Sequence, residues 1–171
     1  MKQILETDQL LLREFSIEDA ENFYQLNLNP NVVKYTGDKA FKNSMEAENF
    51  LIHYKDYEIN GFGRWAVIEK CSGAFLGWCG LKYTQETNET DIGFRFFEKY
   101  WNKGFATESA KACLKYGFEK LNLKIIVGRA MAENIASIKV LEKLGLKYER
   151  EFDFDEQKGL IYKIENNQAS R

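Results

Sequence analysis

The chain has 171 residues, of which 44% are hydrophobic and 29% are charged, and its net charge is −2 at pH 7. This length suits one domain, residues 1–171, and the composition is typical of a globular rather than a disordered chain. Proteins that bind nucleic acid through phosphate contacts usually carry a basic excess, so the charge argues against a nucleic-acid partner. No apolar run approaches the ~20 residues that cross a bilayer, and the first residues carry no signal-peptide pattern. We therefore expect a cytoplasmic protein without a membrane partner.

The cysteines and the histidine carry no metal signature. Cys71, Cys79 and Cys113 are widely spaced without a CxxC pair, so we expect buried, reduced thiols. A zinc site or a serine–histidine–aspartate triad would have to use His53, the single histidine. Both kinds of site need several convergent groups, so we expect no metal.

The first elements are a strand and two helices. A strand is predicted over 10–15, and a helix should follow with Ser16 as N-cap and Asp19 at its third position, a relaxed capping box. The only proline, Pro30, should stop this helix. A second helix should begin at Ser44, with that serine as its cap, and run through 58 to an end at Asn60-Gly61.

The middle of the chain predicts an antiparallel meander. Three segments rich in β-branched and aromatic residues are separated by short polar turns, which favours consecutive antiparallel pairing. The three predicted strands cover 64–69, 75–83 and 90–97.

The stretch 100–108, Tyr-Trp-Asn-Lys-Gly-Phe-Ala-Thr-Glu, follows the third of these strands and leads into apolar positions at helical spacing up to Leu121. Unpaired N–H groups and the dipole at the start of a helix favour an anion. Gly104 lets the backbone approach a ligand without an intervening Cβ. The sequence therefore predicts a site for an anionic cofactor at this turn.

The remaining elements complete a mixed sheet. A strand over 124–130 follows the helix, and a strand–helix–strand passage favours parallel pairing with the strand before the turn. A last helix should open at 134–137 and close at Gly145, followed by strands over 146–150 and 159–164 with a turn over 153–158. The order β-α-α-β-β-β-α-β-α-β-β indicates an α/β fold with helices on both faces of the sheet.

Several short motifs occur in order along nearly the whole chain, at 11–13, 75–81, 91–94, 100–108, 134–137 and 141–146. Together they resemble the GNAT N-acetyltransferases, and in particular their branch of ribosomal-protein N-terminal acetyltransferases (RimJ/RimL-like). The resemblance implies the GNAT acyl-CoA N-acyltransferase fold, a mostly antiparallel sheet with a splayed parallel central strand pair flanked by helices. It also implies transfer of the acetyl group of acetyl-CoA to a primary amine by direct attack in a ternary complex.

The resemblance further implies which residues hold acetyl-CoA. Backbone amides of the turn would hold its pyrophosphate, and the exposed strand backbone before the turn would pair with its pantetheine arm. An N–H of that strand would polarise the thioester carbonyl. Asn134 would hydrogen-bond the pantetheine, and Ser137 would lie near the sulfur. The implied cofactor-binding residues are Phe94, Arg95, Phe96, Trp101, Asn102, Lys103, Gly104, Phe105, Ala106, Thr107, Asn134, Ser137 and Lys143.

Two positions depart from the wider family pattern. Trp101 stands where many members have arginine or glutamine, which we interpret as a mark of the RimJ/RimL-like branch. Leu141 stands where many members place a tyrosine general acid, which leaves Ser137 as the nearest acid candidate and Tyr148 as a weaker one. Asp91, directly before the splayed strand segment, is the candidate base, with a solvent-exposed edge residue as the alternative.

The acceptor stays open at this point. A protein N-terminus, an amine antibiotic and a polyamine all fit the resemblance. An acyltransferase for a longer acyl-CoA and a CoA-binding sensor that has lost turnover are the alternative functions. The oligomeric state is also open, with a homodimer among the options.

Overall fold

The computed structural model of the chain describes residues 1–154 and 156–166. The strands are β1 Gln3–Glu6, β2 Leu10–Arg13, β3 Arg64–Glu69, β4 Phe75–Thr84, β5 Glu89–Phe96, β6 Ile125–Met131, β7 Lys147–Phe154 and β8 Gln157–Glu165. The helices are α1 Ala20–Leu28, α2 Pro30–Val33, α3 Ser44–Ile52, α4 Asp56–Asn60, α5 Phe105–Glu119 and α6 Ile135–Lys143, with 3₁₀ turns at Ile17–Asp19 and Glu98–Tyr100. Within the described ranges, no helix is long and apolar enough to cross a membrane.

The strands form one eight-stranded sheet in the order β1-β2-β3-β4-β5-β6-β8-β7. Among these neighbours β5 and β6 run parallel, as the sequence predicts, and the other pairs are antiparallel. The parallel ladder is short, because it joins only Asp91 to Val127 and Ile92 to Gly128. On its other edge β5 stays paired with β4 as far as Phe96. The sheet therefore opens in its middle, beyond Ile92.

Neighbouring residues on β3 direct their side chains to opposite faces of the sheet, and each face is covered by different helices. Trp65 belongs to the cluster that contains α5 and stacks edge-on against Tyr116 at 5.4 Å. Ala66 belongs to the cluster of α1 and α3, with Phe23 and Leu51. The predicted placement of helices on both faces is confirmed.

The cysteine prediction holds for two of the three residues. Cys79 and Cys113 are fully buried between β4 and α5, and their Sγ atoms lie 3.8 Å apart. Cys71 is exposed, so the prediction of a buried thiol is wrong there. It lies in the polar turn between β3 and β4.

The predicted helix from Ser44 to 58 is wrong in two respects. Its cap is Asn43, whose side chain accepts a hydrogen bond from the backbone N–H of Glu46 at 3.0 Å. Asparagine and serine are similarly good caps, so the sequence alone did not separate the two positions. The helix also ends at Ile52, and a separate short helix, α4, follows.

Tertiary hydrogen bonds explain the break between α3 and α4. The Tyr54 hydroxyl accepts from the backbone N–H of Arg64 at 2.7 Å. The Tyr57 hydroxyl accepts from the N–H of Phe15 at 3.0 Å and donates to the Arg64 carbonyl. Burial raises the pKa of both phenols, so they stay neutral donors and acceptors. A continuous helix would not bring both rings to the start of β3.

Smaller differences concern the chain ends and one turn. The edge strand β1 was not predicted, because its short half-buried pattern gives a weak signal. Pro30 ends α1 as predicted but also begins α2, where Asn29 caps the N–H of Asn31 at 2.9 Å. The last hairpin has longer strands and a shorter turn than 153–158. Residues 167–171 of the polar tail lie outside the described residues.

The predicted capping box at Ser16 is confirmed, and its acid is also half of an ion pair. Asp19 is 2% exposed and accepts from the Ser16 N–H at 2.9 Å. Both of its oxygens accept from the Arg13 guanidinium, at 2.8 and 2.7 Å. This bidentate pair ties β2 to the start of α1.

We expect Asp19→Ala to lower the free energy of unfolding by about 3–5 kcal/mol, because it leaves the Arg13 guanidinium largely buried without its counter-charge. Glu18→Ala, at an exposed position in the same turn, is the control and should change stability by no more than about 0.5 kcal/mol. Urea unfolding at pH 7 measures both variants. Equal losses would show that the Arg13 pair is not what stabilises this junction.

Candidate active site

The open edge of β5 presents backbone groups that β6 does not reach. The Phe97 N–H donates to the Leu76 carbonyl at 3.0 Å, on the β4 side. Successive residues of a strand direct their backbone groups to opposite edges, so those of Phe94 and Phe96 point to the open side. Arg95, whose partner on β4 is Trp78, directs its backbone to β4. The cofactor-facing edge predicted over 94–96 therefore consists of Phe94 and Phe96.

The predicted turn begins α5 at Phe105, and Gly104 is its cap in the left-handed conformation, with φ +84°. The first helical hydrogen bond runs from the Glu108 N–H to the Gly104 carbonyl at 2.9 Å. The N–H groups of Phe105, Ala106 and Thr107 precede it and point out of the helix start. A Cβ built on Gly104 would meet no atom within 4 Å, so the space in front of this turn is open.

Trp101 connects this turn to the open strand edge. Its indole Nε1 donates to the Phe96 carbonyl at 2.9 Å, which leaves the Phe96 N–H and the Phe94 groups on the edge. Asn102 has φ +59°, so the turn bends through a second left-handed residue before Gly104. The tryptophan at this position thus has a structural role, because it links the turn to the end of β5.

The side chains of the other predicted turn residues point in different directions. Phe105 is 6% exposed and packs edge-on against Tyr100, so only its backbone is available to a ligand. Lys103 is exposed, with its ammonium 5.7 Å from the Tyr100 ring. Lys143 is exposed in the last turn of α6, where a cation also suits the helix dipole.

Glu108 has the structural role that its place in the first helical turn predicts. Its Oε1 accepts from the Thr7 hydroxyl at 2.6 Å and from the Gln9 N–H at 3.1 Å, and its Oε2 accepts from the Gln9 side chain at 2.7 Å. Partial burial raises the pKa of Glu108, but these hydrogen bonds lower it by more. The carboxylate fastens α5 to the loop between β1 and β2.

At the start of α6, Asn134 is the N-cap. Its Oδ1 accepts from the Ser137 N–H at 3.2 Å, and this cap does not use its Nδ2 donors. Leu141, one turn beyond Ser137, is 2% exposed and packs over Gly128, where a Cβ would lie 2.5 Å from Leu141 Cδ2. The family's tyrosine position is thus filled by a core residue. Tyr148, the weaker acid candidate, is 54% exposed and stacks on Tyr162.

A cavity of about 310 Å³ lies where β5 and β6 diverge. It brings together five of the predicted site residues, namely Asp91, Phe94, Arg95, Asn134 and Ser137. The turn residues 101–107, Phe96 and Lys143 are not part of its lining. The open edge of β5 and the start of α6 thus face one cavity, and the helix turn lies at the far end of the same strand.

Asp91 is not the solvent-exposed edge residue that the sequence left as an alternative, since it is only 9% exposed. Its Oδ2 accepts from Arg64 Nη2 at 2.6 Å, and its Oδ1 lies 3.6 Å from Arg129 Nη1. Arg64 also donates to the carbonyls of Gly80 and Asp91, at 2.6 and 3.0 Å. Burial lowers the pKa of Arg64, but Asp91 raises it by more, so the guanidinium stays charged.

Sequence reasoning missed the arginines around this cavity. Arg64 and Arg129 line it beside Asp91, and Arg95 lines it with its side chain rather than its backbone. A usable signal was the pair of glycines at Gly80 and Gly93, which are directly opposite each other on β4 and β5. A Cβ on Gly93 would lie 2.6 Å from the Arg64 Cζ, so this glycine leaves the space that the guanidinium occupies, while a Cβ on Gly80 would meet the backbone of Gly63 and Arg64.

An anionic acyl carrier fits these features. The helix start offers unpaired N–H groups and open space for a phosphate, and the strand edge offers backbone groups for an amide-containing arm. The fold and the site are those of a coenzyme A-dependent acyltransferase of the GNAT class. A family model, the acetyltransferase (GNAT) domain, matches residues 9–147, and the chain belongs to this family. It is therefore an acetyl-CoA-dependent N-acetyltransferase of the GNAT family.

Individual relatives agree with this assignment. The chain is 31% identical over 165 residues to "Uncharacterized N-acetyltransferase p20" of Bacillus licheniformis, covering 95% of this chain and 93% of that protein. It is 26% identical over 141 residues to the spermidine N(1)-acetyltransferase of Escherichia coli K12, covering 82% and 74%. A solved GNAT-family acetyltransferase from Bacillus anthracis has a TM-score of 0.81 at 28% identity, covering 94% of this chain and 96% of that one. Ribosomal-protein acetyltransferases share the fold at 14–19% identity, which carries no further argument.

Gly104→Asp should weaken acetyl-CoA binding about 10- to 100-fold, because it places a carboxylate in front of the N–H groups that would face phosphate. Gly104→Asn is the matched control, since asparagine also tolerates the left-handed conformation but carries no charge. Isothermal calorimetry with acetyl-CoA measures both. If the two variants bind alike, or as tightly as the unaltered protein, the helix start is not the phosphate site.

Proposed function

We propose that this enzyme acetylates the primary amine of a small molecule, and that this amine attacks the thioester of acetyl-CoA directly. The observation that carries the proposal is the single cavity shared by the open β5 edge, Asn134 and Ser137. From there the lining continues onto the face of the sheet covered by α1 and α3, through Trp78 and Tyr35. Cofactor and acceptor would thus meet where β5 and β6 diverge.

The chain would hold acetyl-CoA mainly through backbone groups. The N–H groups of Phe105 to Thr107 would take the pyrophosphate, and the Phe94 groups would pair with the pantetheine amides. The Nδ2 of Asn134 is a further donor toward that arm, since its Oδ1 already caps α6. When bound, acetyl-CoA supplies an acetyl thioester, and a backbone N–H of β5 polarises its carbonyl.

The acceptor amine must lose a proton before it attacks. Asp91 is the predicted base, and that role stays a prediction. Both of its oxygens face guanidiniums, so breaking the ion pair with Arg64 or with Arg129 would cost free energy. The contacts favour proton release through water, with Asp91 orienting Arg64 and Arg129 around the cavity.

Ser137 would assist departure of the thiolate. Ser137 is in the first turn of α6 and lines the cavity, and Leu141 has no polar group that could replace the serine hydroxyl. A thiolate with a pKa of roughly 8.5 needs only modest help from an acid at neutral pH.

Narrower expectations stay proposals. The RimJ/RimL-like branch is supported by the roles of Trp101 and Leu141, and the size of the cavity favours acetyl over a longer acyl chain. One domain over 1–171 and a cytoplasmic location are further predictions, and a homodimer is one option for the oligomeric state.

Release of free thiol from acetyl-CoA in the presence of a panel of primary amines tests the function. We expect turnover with at least one small amine. Tight CoA binding in calorimetry without thiol release for any acceptor would instead support the alternative of a CoA-binding sensor, which the substitution of tyrosine by the buried Leu141 makes a specific competitor.

Ser137→Ala should lower kcat about 10-fold and leave the affinity for acetyl-CoA nearly unchanged, because a proton donor to the leaving group acts in the transition state. Ser72→Ala, on the exposed turn between β3 and β4, is the control for loss of a hydroxyl. Steady-state kinetics and calorimetry separate the two effects. Equal losses in kcat and affinity would make Ser137 a binding residue.

A further inference from the structure

The side chains of three arginines lie along the acceptor side of the cavity, and we call them the arginine row: Arg129, Arg64 and Arg95. Asp91 is the one carboxylate that joins them among the described residues of the lining. Asp91, Gly93 and Arg95 share a face of β5, because side chains alternate along a strand. Trp78 lies on this face between two of the arginines, with their Cζ atoms 5.5 Å (Arg64) and 5.2 Å (Arg95) from its ring.

Two members of the row are held by carboxylates on the strands of the sheet itself. Arg64 has a side chain 14% exposed and pairs with Asp91. Arg129 pairs with Glu89 and lies 3.6 Å from the second oxygen of Asp91. These pairs lie within the sheet, so Arg64 and Arg129 have permanent counter-charges.

Arg95 has a different kind of partner. Its Nη1 donates to the side-chain oxygen of Asn27 at 2.8 Å, and its stacking on Trp78 fixes the guanidinium plane. Its Nη2 donates to Asp38 at 2.6 Å. The Arg95 side chain is 11% exposed, whereas that of Asp38 is 54% exposed and belongs to the irregular segment between α2 and α3. A fixed guanidinium thus faces a carboxylate from a loop.

That loop also covers the cavity. Tyr35 and Thr36 belong to the lining, and a Cβ on Gly37 would lie 2.5 Å from the ring of Phe154 on β7. The loop therefore closes against the last hairpin one residue before Asp38. An acceptor that enters from this side would have to pass the Asp38–Arg95 pair.

We propose that the acceptor amine also carries a carboxylate, which Arg95 binds in place of Asp38, so that the substrate is an amino acid or a compound of that kind. The inference rests on the proposed transferase function. Departure of Asp38 leaves one uncompensated positive charge on a guanidinium already oriented by Asn27 and Trp78. One carboxylate matches that charge and the two-pronged geometry of arginine.

The size and lining of the cavity agree with this substrate class. A volume of about 310 Å³ is at the small end of ligand sites. The rest of the acceptor side is aromatic, from Tyr35, Trp78, Phe152 and Phe154, which suits an apolar side chain beside the carboxylate. Once Asp38 has departed, a polyamine would place two or more positive charges beside the uncompensated guanidinium of Arg95, which is unfavourable. The acceptor is therefore unlike the spermidine named for one relative.

Matched substrate pairs isolate the carboxylate. Thiol release from acetyl-CoA is measured with L-amino acids and with the amines that lack only the carboxylate, such as phenylalanine with phenethylamine and leucine with isopentylamine, and with spermidine. We expect kcat/KM to be at least 10-fold higher for the amino acid of the best pair, as a charge-assisted bidentate contact implies. Preference for the decarboxylated amine or for spermidine would overturn the inference.

Variants assign the preference to Arg95. Arg95→Gln should lower kcat/KM for the amino acid about 10- to 100-fold, and for the decarboxylated amine by less than about 3-fold. Arg150→Gln, an ion-paired arginine outside this cavity, is the matched control and should keep the preference. An unchanged preference in Arg95→Gln would contradict the assignment.

Asp38→Asn keeps the inference testable if Arg95→Gln does not fold, since Asp38 is on an exposed loop. It removes the competing carboxylate and should lower KM for the amino acid several-fold without changing that for the decarboxylated amine. A purely structural Asp38–Arg95 pair would instead raise KM for both.

Binding measurements separate this inference from the function on which it rests. Calorimetry with acetyl-CoA alone tests the transferase assignment. If acetyl-CoA binds but no amine is turned over, titration of the CoA-saturated protein with N-acetylphenylalanine and N-acetylphenethylamine still tests the carboxylate site. Binding of N-acetylphenylalanine but not of N-acetylphenethylamine, lost in Arg95→Gln, supports the carboxylate site. Absence of such binding overturns the inference.

Discussion

The structure depends on a parallel strand pair that ends after two residues. The pairing at Asp91 and Ile92 joins β6, and with it β8 and β7, to the rest of the sheet, and beyond these residues β5 and β6 separate. Backbone N–H and C=O groups that face the interior must be paired, so an open edge is stable only where water or a ligand can reach it. Divergence of the two strands therefore creates both the cavity and the demand for a hydrogen-bonding partner within it.

The turn before α5 is coupled to this opening by a single side chain. Trp101 uses its indole N–H to satisfy the Phe96 carbonyl, the last group of the open edge. The same contact fixes where the chain leaves β5, and two left-handed residues, Asn102 and Gly104, then set the direction of the helix. The start of α5 and the strand edge thus cannot shift independently, which suits a ligand long enough to bind both.

Several signals confined to a few consecutive residues predict the structure correctly. The capping box at Ser16, the strand at 64–69 and the left-handed glycine after α6 are all present, because each depends on local chemistry. Two of the wrong predictions depended on distant partners. The break after Ile52 exists because Tyr57 reaches Arg64, and Asp91 is buried because Arg64 crosses the space above Gly93. Neither contact has a period or a motif, and only the facing glycines Gly80 and Gly93 indicate the second one.

The distribution of charge separates two tasks of the site. Where the cofactor's phosphates would bind, the protein offers backbone dipoles, and Lys103 is exposed above an aromatic ring rather than directed inward. The arginines lie instead on the face of the sheet opposite α5, and each is paired with a carboxylate. Phosphate binding does not account for them there, and a mostly buried cluster of ion pairs is seldom a gain in stability over apolar packing. Their position on the acceptor side is better explained by what the enzyme must recognise, since a guanidinium held by Asn27 and Trp78 loses little freedom when it binds a carboxylate.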